Sequence, residues 1–350
     1  MSATQTISVQ PRLPAANRRW AIADSPRLER AISIISDNVP AAVAGRFQTA
    51  LETILGWTLE SEWAEVMWSF SLLIGDCFPI EFTLSSADSG ISYAAEVAGP
   101  EVPDGERLSR AFAVLQRLGQ PPPQREVVDL LRRIQASGAL SFGAWIGARH
   151  HVDGDRYKVY VEVPRSHWHT AQSEFGHLLG TEPLLNHRST QLQIISYDPR
   201  KHRTEFYFEV QGLERWELER LLNRAGLSGR SEELLTLLEE TFGYSIGETL
   251  PTVNLGFSYS FGAGAEPTVF SVFAISRCAL GSDERIRRQL LSLGVRKGWD
   301  LGLYEKLSAP IAARGGRRTR HSLLSFVVPP AGPLSIRIGM SPPVGSCDDE

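Results

Sequence analysis

Residues 156–163 read Arg156-Tyr157-Lys158-Val159-Tyr160-Val161-Glu162-Val163, and residues 203–210 read Arg203-Thr204-Glu205-Phe206-Tyr207-Phe208-Glu209-Val210. Both alternate with period two. Arg156, Lys158, Tyr160 and Glu162 oppose Tyr157, Val159, Val161 and Val163. Arg203, Glu205, Tyr207 and Glu209 oppose Phe206, Phe208 and Val210. Successive side chains of a strand leave opposite faces, so each stretch predicts a strand with one apolar and one polar face. The apolar face requires cover. The polar face meets water or lines a lumen.

Each of these strands has a strand-like neighbour. FGAWIGAR (142–149) pairs with RYKVYVEV across HHVDGD, and TQLQIISY (190–197) pairs with RTEFYFEV across DPRKH. Further along, VNLGFSYSF (253–261) pairs with PTVFSVFAI across GAGAE, and SLLSFVV (322–328) pairs with PLSIRIG across PPAG. Toward the N-terminus, FPIEFTLSS (78–86) alternates Glu81, Thr83 and Ser85 with Ile80, Phe82 and Leu84, and WAEVMWSFSLL (63–73) reads as its partner. The joining segments hold the Gly, Pro and Asp that hairpin turns require.

Between the pairs lie stretches with apolar residues every three or four positions: 27–36, 41–55, 107–118, 126–136, 216–225, 231–242 and 283–293. These predict amphipathic helices. Gly243 sits where a left-handed C-cap would end the 231–242 helix. A two-helix-then-hairpin unit thus recurs about five times, and such a period suggests a closed or stacked repeat architecture. The predicted fold class is α+β, a ten-stranded antiparallel β-barrel ringed by α-helices and wide enough to hold a ligand. A parallel α/β barrel alternates single strands with single helices, which this chain does not. One domain over 21–340 is expected, with residues 1–20 and 341–350 as disordered ends.

The 350 residues are 42% hydrophobic and 22% charged, with a net charge of -4. That balance argues against a nucleic-acid or anionic-membrane partner, since both need a basic field. No apolar run is long enough for a membrane span, and no signal peptide is read at the N-terminus. Cys77, Cys278 and Cys347 fit neither a metal knuckle nor a disulfide framework, which points to a reducing, cytoplasmic setting. His150–His151 and His167-x-His169 lack an identifiable third ligand, so no metal site is assigned.

Several strand motifs resemble those of the ABBA aromatic prenyltransferases, in the branch of dimethylallyl tryptophan synthase. Gly75-Asp76-Cys77-Phe78-Pro79-Ile80-Glu81-Phe82-Thr83 is similar to the family's G-D-x-x-P-x-E-[FY]-S, Lys158-Val159-Tyr160 to K-x-Y, and Arg203-Thr204-Glu205-Phe206-Tyr207 to R-x-K-x-Y. With the repeat order, the resemblance spans roughly residues 60–340. It implies an allylic diphosphate donor, dimethylallyl before longer chains, and an indole-like or other aromatic small-molecule acceptor. It also implies a place in secondary metabolism such as alkaloid biosynthesis. Glu81 takes the position of the glutamate that receives the acceptor N–H. Lys158 and Arg203 take diphosphate-binding positions, and Tyr160 and Tyr207 those of the carbocation shield.

The chain also departs from the pattern. Glu205 stands where a diphosphate-binding lysine is usual, reversing the charge, and is placed to pair with Lys158 or Arg203. Ser92 stands at an arginine position in the R-x-x-x-E-like segment 92–96. In Thr268-Val269-Phe270, Phe270 replaces a shield tyrosine, leaving Thr268 and Phe270 as lumen candidates. Arg149 and Arg337 are the remaining candidate cations.

This chemistry suits those residue types. An ionising diphosphate needs fixed cations in a low-dielectric cavity. An allylic cation needs π faces and no loose water. The acceptor needs a carboxylate for its N–H or O–H. No Asp-rich magnesium motif is present in strand or helix segments, so metal-independent binding is expected, with Mg2+ the alternative. Two other readings stand beside this one: a prenyltransferase of peptide side chains, and a non-catalytic barrel that binds aromatic ligands. The expected oligomeric state is a monomer or homodimer.

Overall fold

Strand alternation governs the architecture. The computed structural model describes residues 22–59, 68–180, 182–250, 255–262, 269–312 and 319–343. The strands are β1 (Ile80–Ser85), β2 (Ile91–Glu96), β3 (Ala144–His151), β4 (Gly154–Glu162) and β5 (Thr190–Asp198), then β6 (Arg203–Val210), β7 (Leu255–Phe261), β8 (Val269–Ile275), β9 (His321–Val328) and β10 (Ser335–Met340). They pair antiparallel in chain order and close into one barrel, with β1 hydrogen-bonded to β10 from Phe82↔Met340 to Ser85↔Arg337. Odd strands therefore all run one way, and the hairpin ends of the five strand pairs lie at one end of the barrel. The helical connections share the other.

Outward-facing residues form the core. Phe82, Val159, Phe206, Phe257, Val272, Phe326 and Ile336 are each fully buried beneath the helices. Large apolar side chains of this kind contribute about 1.5–3 kcal/mol each on burial. The cover comes from helices Pro26–Ser36, Ala41–Ile54, Asp104–Arg117, Arg125–Ala136, Arg215–Arg224, Ser231–Phe242, Asp283–Lys297 and Gly302–Ala312, with shorter turns between. Gly243 caps the helix Ser231–Phe242 with φ 79°. No helix among the described residues is long and apolar enough to cross a membrane.

One predicted pairing is overturned. The partner of β1 is the segment after it, Ile91–Glu96, with Glu81 opposite Ala94. Of the run 63–73, residues 63–67 lie outside the described residues, and Trp68–Leu73 is helix end, turn and bend. The physical reason is the turn at 86–90. Asp88 Oδ1 accepts the Gly90 N–H at 3.0 Å, and a Cβ at Gly90 would sit 3.0 Å from the His150 carbonyl oxygen. This Asx turn reverses the chain directly after β1. Of the predicted loose ends 1–20 and 341–350, residues 1–20 and 344–350 lie outside the described residues, while 341–343 are buried and the Ser341 N–H is bonded to the Arg320 carbonyl.

Candidate active site

The inward residues of the ten strands meet in a common lumen, and their order along the barrel follows from the register. Nearest the hairpin end is a group of arginines. Arg149 of β3 faces Arg156 of β4 as its cross-strand partner, and Arg337 of β10 pairs with Ser85, the last residue of β1. Arg203 opens β6 at the same end. Arg149 binds Asp88 of the β1–β2 turn at 2.7 Å. Burial pulls the Arg149 pKa down. Asp88 opposes that shift, while Arg337 and Arg156 add to it. Arg337, Arg156 and Arg149 therefore act on one another electrostatically. Ser92 is the direct cross-strand neighbour of Arg149.

The next layer is a hydrogen-bonded group centred on Glu205. Its carboxylate accepts from Lys158 Nζ at 2.5 Å, from the Tyr207 hydroxyl, from Ser196 Oγ at 3.2 Å and from Ser260 Oγ at 3.0 Å. Arg203 Nε donates to the same Ser260 hydroxyl and lies 4.0 Å from Glu205 Oε1. Lys158 also donates to the Tyr207 hydroxyl at 3.0 Å. Burial alone would raise the Glu205 pKa, but the Lys158 ammonium and the hydrogen bonds hold it well below the ordinary carboxylate range. Burial would likewise depress Lys158, yet the Glu205 carboxylate raises it well above its usual value. Both groups are thus fixed in their charged forms and neutralise one another. Their side chains keep 19% and 23% exposure, and Arg149 33%, so the lumen is not packed shut.

An aromatic wall runs through this layer. Tyr160 and Tyr207 have ring centroids 5.9 Å apart, and Tyr207 lies 6.2 Å from Phe273. The Lys158 ammonium sits 4.6 Å from the Tyr160 ring centre, within cation–π range. Two inward glycines make room. A Cβ at Gly147 would lie 2.7 Å from the Tyr160 ring, and one at Gly256 would lie 2.1 Å from Phe273.

Phe270 is corrected by this geometry. It belongs to the outward phase of β8, fully buried with its ring 5.4 Å from Tyr259. The lumen phase is Val269, Ser271, Phe273 and Ile275. Ser271 marks that phase in the sequence, because a polar residue in a strand otherwise covered on one side belongs to the inner face. Thr268 lies outside the described residues. Arg156 and Phe273 are the lumen residues that motif matching passed over.

Glu81 lies toward the helical end, apart from the Glu205 group. The Ser322 hydroxyl donates to its Oε1, and the Leu323 backbone stands close enough to favour the charged form. Burial pushes its pKa up to about 7, with those two groups pulling partway back. The neutral form is therefore the one the fold favours. Its stabilisation is complete below the unfolded value near 4.5 and is lost as pH rises through about 7. The unfolding midpoint is expected to fall between about pH 5 and pH 8, and Glu81→Gln to lack that component, as scanning calorimetry across pH would read. A Cβ at Gly339 would lie 2.4 Å from both Glu81 Oε1 and Ser322 Oγ. Gly339→Ala is expected to destabilise the fold by about 1–3 kcal/mol, read as a lowered Tm.

Two further inward carboxylates are tied up structurally. Glu162 accepts the N–H groups of Ser141, Phe142 and Gly143 at 2.7–2.9 Å. Glu96, in the R-x-x-x-E-like segment, binds Arg107 at 3.3 Å and Ser71 at 2.9 Å. Asp76 of the Gly75–Thr83 motif binds Arg27 at 2.6 Å and also Arg320. It joins the first helix to the approach of β9. Among the described residues, no group of three His, Cys, Asp or Glu side chains is placed to hold a metal ion.

No family model and no curated protein matches the chain. Solved structures do. A 6-dimethylallyltryptophan synthase from Micromonospora olivasterospora, in complex with DMASPP and Trp, superposes with TM-score 0.70 at 19% identity over 92% of this chain and 97% of its own. The prenyltransferase PriB, in a ternary complex with L-tryptophan and dimethylallyl thiolodiphosphate, gives TM-score 0.73 at 15% identity over 91% of this chain and 96% of its own. AnaPT from Neosartorya fischeri gives 0.64 at 14% over 91% and 93%. The closed ten-stranded barrel and its ring of helices thus agree with the likeness read in the strand motifs, and the chain has the fold of the ABBA aromatic prenyltransferases.

Proposed function

We propose that the protein is an aromatic prenyltransferase, moving a dimethylallyl or longer allylic group from its diphosphate to an indole-like or other aromatic acceptor. The observation that carries this reading is the order of groups along one lumen: cations at the hairpin end, an aromatic wall, and a partly neutral carboxyl at the far end. The donor C–O bond breaks and diphosphate leaves among Arg149, Arg156, Arg203, Arg337 and Lys158. Fixed positive charge in a low-dielectric cavity stabilises that leaving group. Tyr160, Tyr207 and Phe273 face the allylic cation and exclude water. The acceptor ring attacks, forming a new carbon–carbon bond, and loss of a ring proton restores aromaticity. Glu81 accepts the acceptor N–H or O–H and takes a proton as general base. The ligands named for the similar structures support dimethylallyl as donor and tryptophan as the first acceptor to test.

The reading includes metal-independent turnover, a cytoplasmic location and a monomer or homodimer. Incubating the protein with dimethylallyl diphosphate and tryptophan, simple indoles, phenols or an indole-bearing cyclic peptide, with and without EDTA, tests it by mass spectrometry. A prenylated product that survives EDTA is the expected result, and no product from any pair would overturn the proposal. The Glu205–Lys158 pairing favours one competing reading, a barrel that holds neutral aromatic ligands without catalysis. Calorimetry separates the two, since such a barrel would leave inorganic diphosphate unbound.

A further inference from the structure

The partners of Glu81 come from an irregularity in the barrel. β9 and β10 pair regularly from Ser335↔Val327 to Ile338↔Leu324, and the register then jumps to Met340↔His321. Ser322 and Leu323 therefore stand together opposite the single residue Gly339. This is a β-bulge, the device by which a strand re-aims a side chain. Both residues now serve the lumen: the Ser322 hydroxyl and the Leu323 backbone meet the Glu81 carboxyl, and Gly339 leaves the space.

The bulge is held from outside the barrel. Asp283, the first residue of helix Asp283–Lys297, accepts the backbone N–H of Arg320 at 2.9 Å and of His321 at 3.1 Å. Its Oδ1 also lies 2.6 Å from His321 Nδ1. His321 Nε2 lies 3.0 Å from the Tyr304 hydroxyl, and the His321 ring is fully buried. Arg320 in turn binds Asp76, and its carbonyl accepts the Ser341 N–H at 2.8 Å. Every polar group of the two residues before the bulge named here thus has a fixed partner on a different element.

We infer that Asp283 and His321 are positioning residues for Glu81: they anchor the β9 bulge that aims the Ser322 hydroxyl and the Leu323 backbone at its carboxyl, and so set the pH at which that carboxyl ionises. The inference deepens the proposed reaction, in which Glu81 is the base. Its physical basis is that donors facing a carboxylate favour the charged form, and a carboxyl enclosed by a barrel wall has few other sources of such help. The influences on Glu81 are burial, Ser322 and Leu323, with no charged side chain among them. On the outer side, the charged and titratable groups around the anchor include Asp283, His321, Tyr304, Arg320, Asp76 and Arg27, with Arg287 acting on Tyr304.

The test reads Glu81 itself and not catalysis. Infrared titration of the full chain labelled with carboxyl-13C glutamate gives the Glu81 band, assigned by its loss in Glu81→Gln. Ser322→Ala removes one donor and is expected to raise the Glu81 midpoint by about one pH unit. Asp283→Asn is expected to raise it in the same direction, and less when Ser322→Ala is already present, since the two act along one path. An unchanged Glu81 midpoint in folded Asp283→Asn would overturn the inference. If that variant does not fold, His321→Gln is read by the same criterion. Shifted midpoints in a protein that transfers no prenyl group would leave the anchor standing and remove only the proposed reaction.

Discussion

Replacing Glu81 with glutamine lowers kcat/KM for prenyl transfer by about a hundredfold or more, while inorganic diphosphate binds as before. A positioned general base contributes roughly 10²–10⁴-fold. Glutamine keeps the size and can still meet the Ser322 hydroxyl, so the lumen is preserved and proton acceptance is lost. Glu81 sits toward the helical end, away from the arginines, so donor binding is untouched. The pH dependence has a definite sign. A base with a pKa near 7 is largely protonated below that value, so the wild-type rate rises with pH through about 7 and then levels. The variant has a low rate without that rise. Equal loss of diphosphate affinity in Glu81→Gln would show that the carboxyl supports the barrel and does not serve the acceptor.

Glu205→Lys has the second large effect, and it acts on two properties in opposite directions. In the wild type, Glu205 neutralises Lys158 and occupies the Tyr207 hydroxyl. The substitution changes the local charge by two and restores the cation that the R-x-K-x-Y pattern carries. Inorganic diphosphate is expected to bind at least about tenfold tighter at low salt, because charges in an enclosed site act at low effective dielectric. Stability is expected to fall by about 3 kcal/mol, because Lys158 then lies half-enclosed against a like charge with its partner gone. Calorimetry with diphosphate and chemical denaturation measure the two effects. Unchanged diphosphate affinity would mean that the ligand docks around Arg149 and Arg156, away from Glu205 and the Arg203 beside it.

The strand faces were legible because period two survives wherever one side is covered. Lys158, Tyr160, Glu205 and Tyr207 were read as sharing a polar face, and they share a wall of the lumen. The possible pairing of Glu205 with Lys158 was also open to reading, since the two charges differ in sign on polar faces. Three features were not legible. The partner of β1 is obscured by the longer strand-like run before it, while the true reversal is the short Asp88–Gly90 turn. Phe270 stands at a motif position that suggests the lumen, yet Ser271 marks the opposite phase as the inward one. The β9 bulge carries no local signal, since Ser322-Leu323-Leu324 gives no sign of which residue breaks the register. In the structure its ends are held by Asp283 on one side and relieved by Gly339 on the other.

The join between β1 and β10 has a kinetic corollary. Ile336 N–H donates to Ser86 Oγ at 2.9 Å across 250 positions of chain, and Ser86 N–H donates to the Ile336 carbonyl at the same distance. During synthesis, nine strands emerge as a curling sheet with two open rims before the tenth can stitch it shut. Contacts between such distant positions form late and slowly, because loop closure must come first. Until then, the free rim of β1 can recruit the strand of another chain. Nascent copies of this protein should therefore be most vulnerable to chain–chain entanglement just before the last hairpin leaves the ribosome.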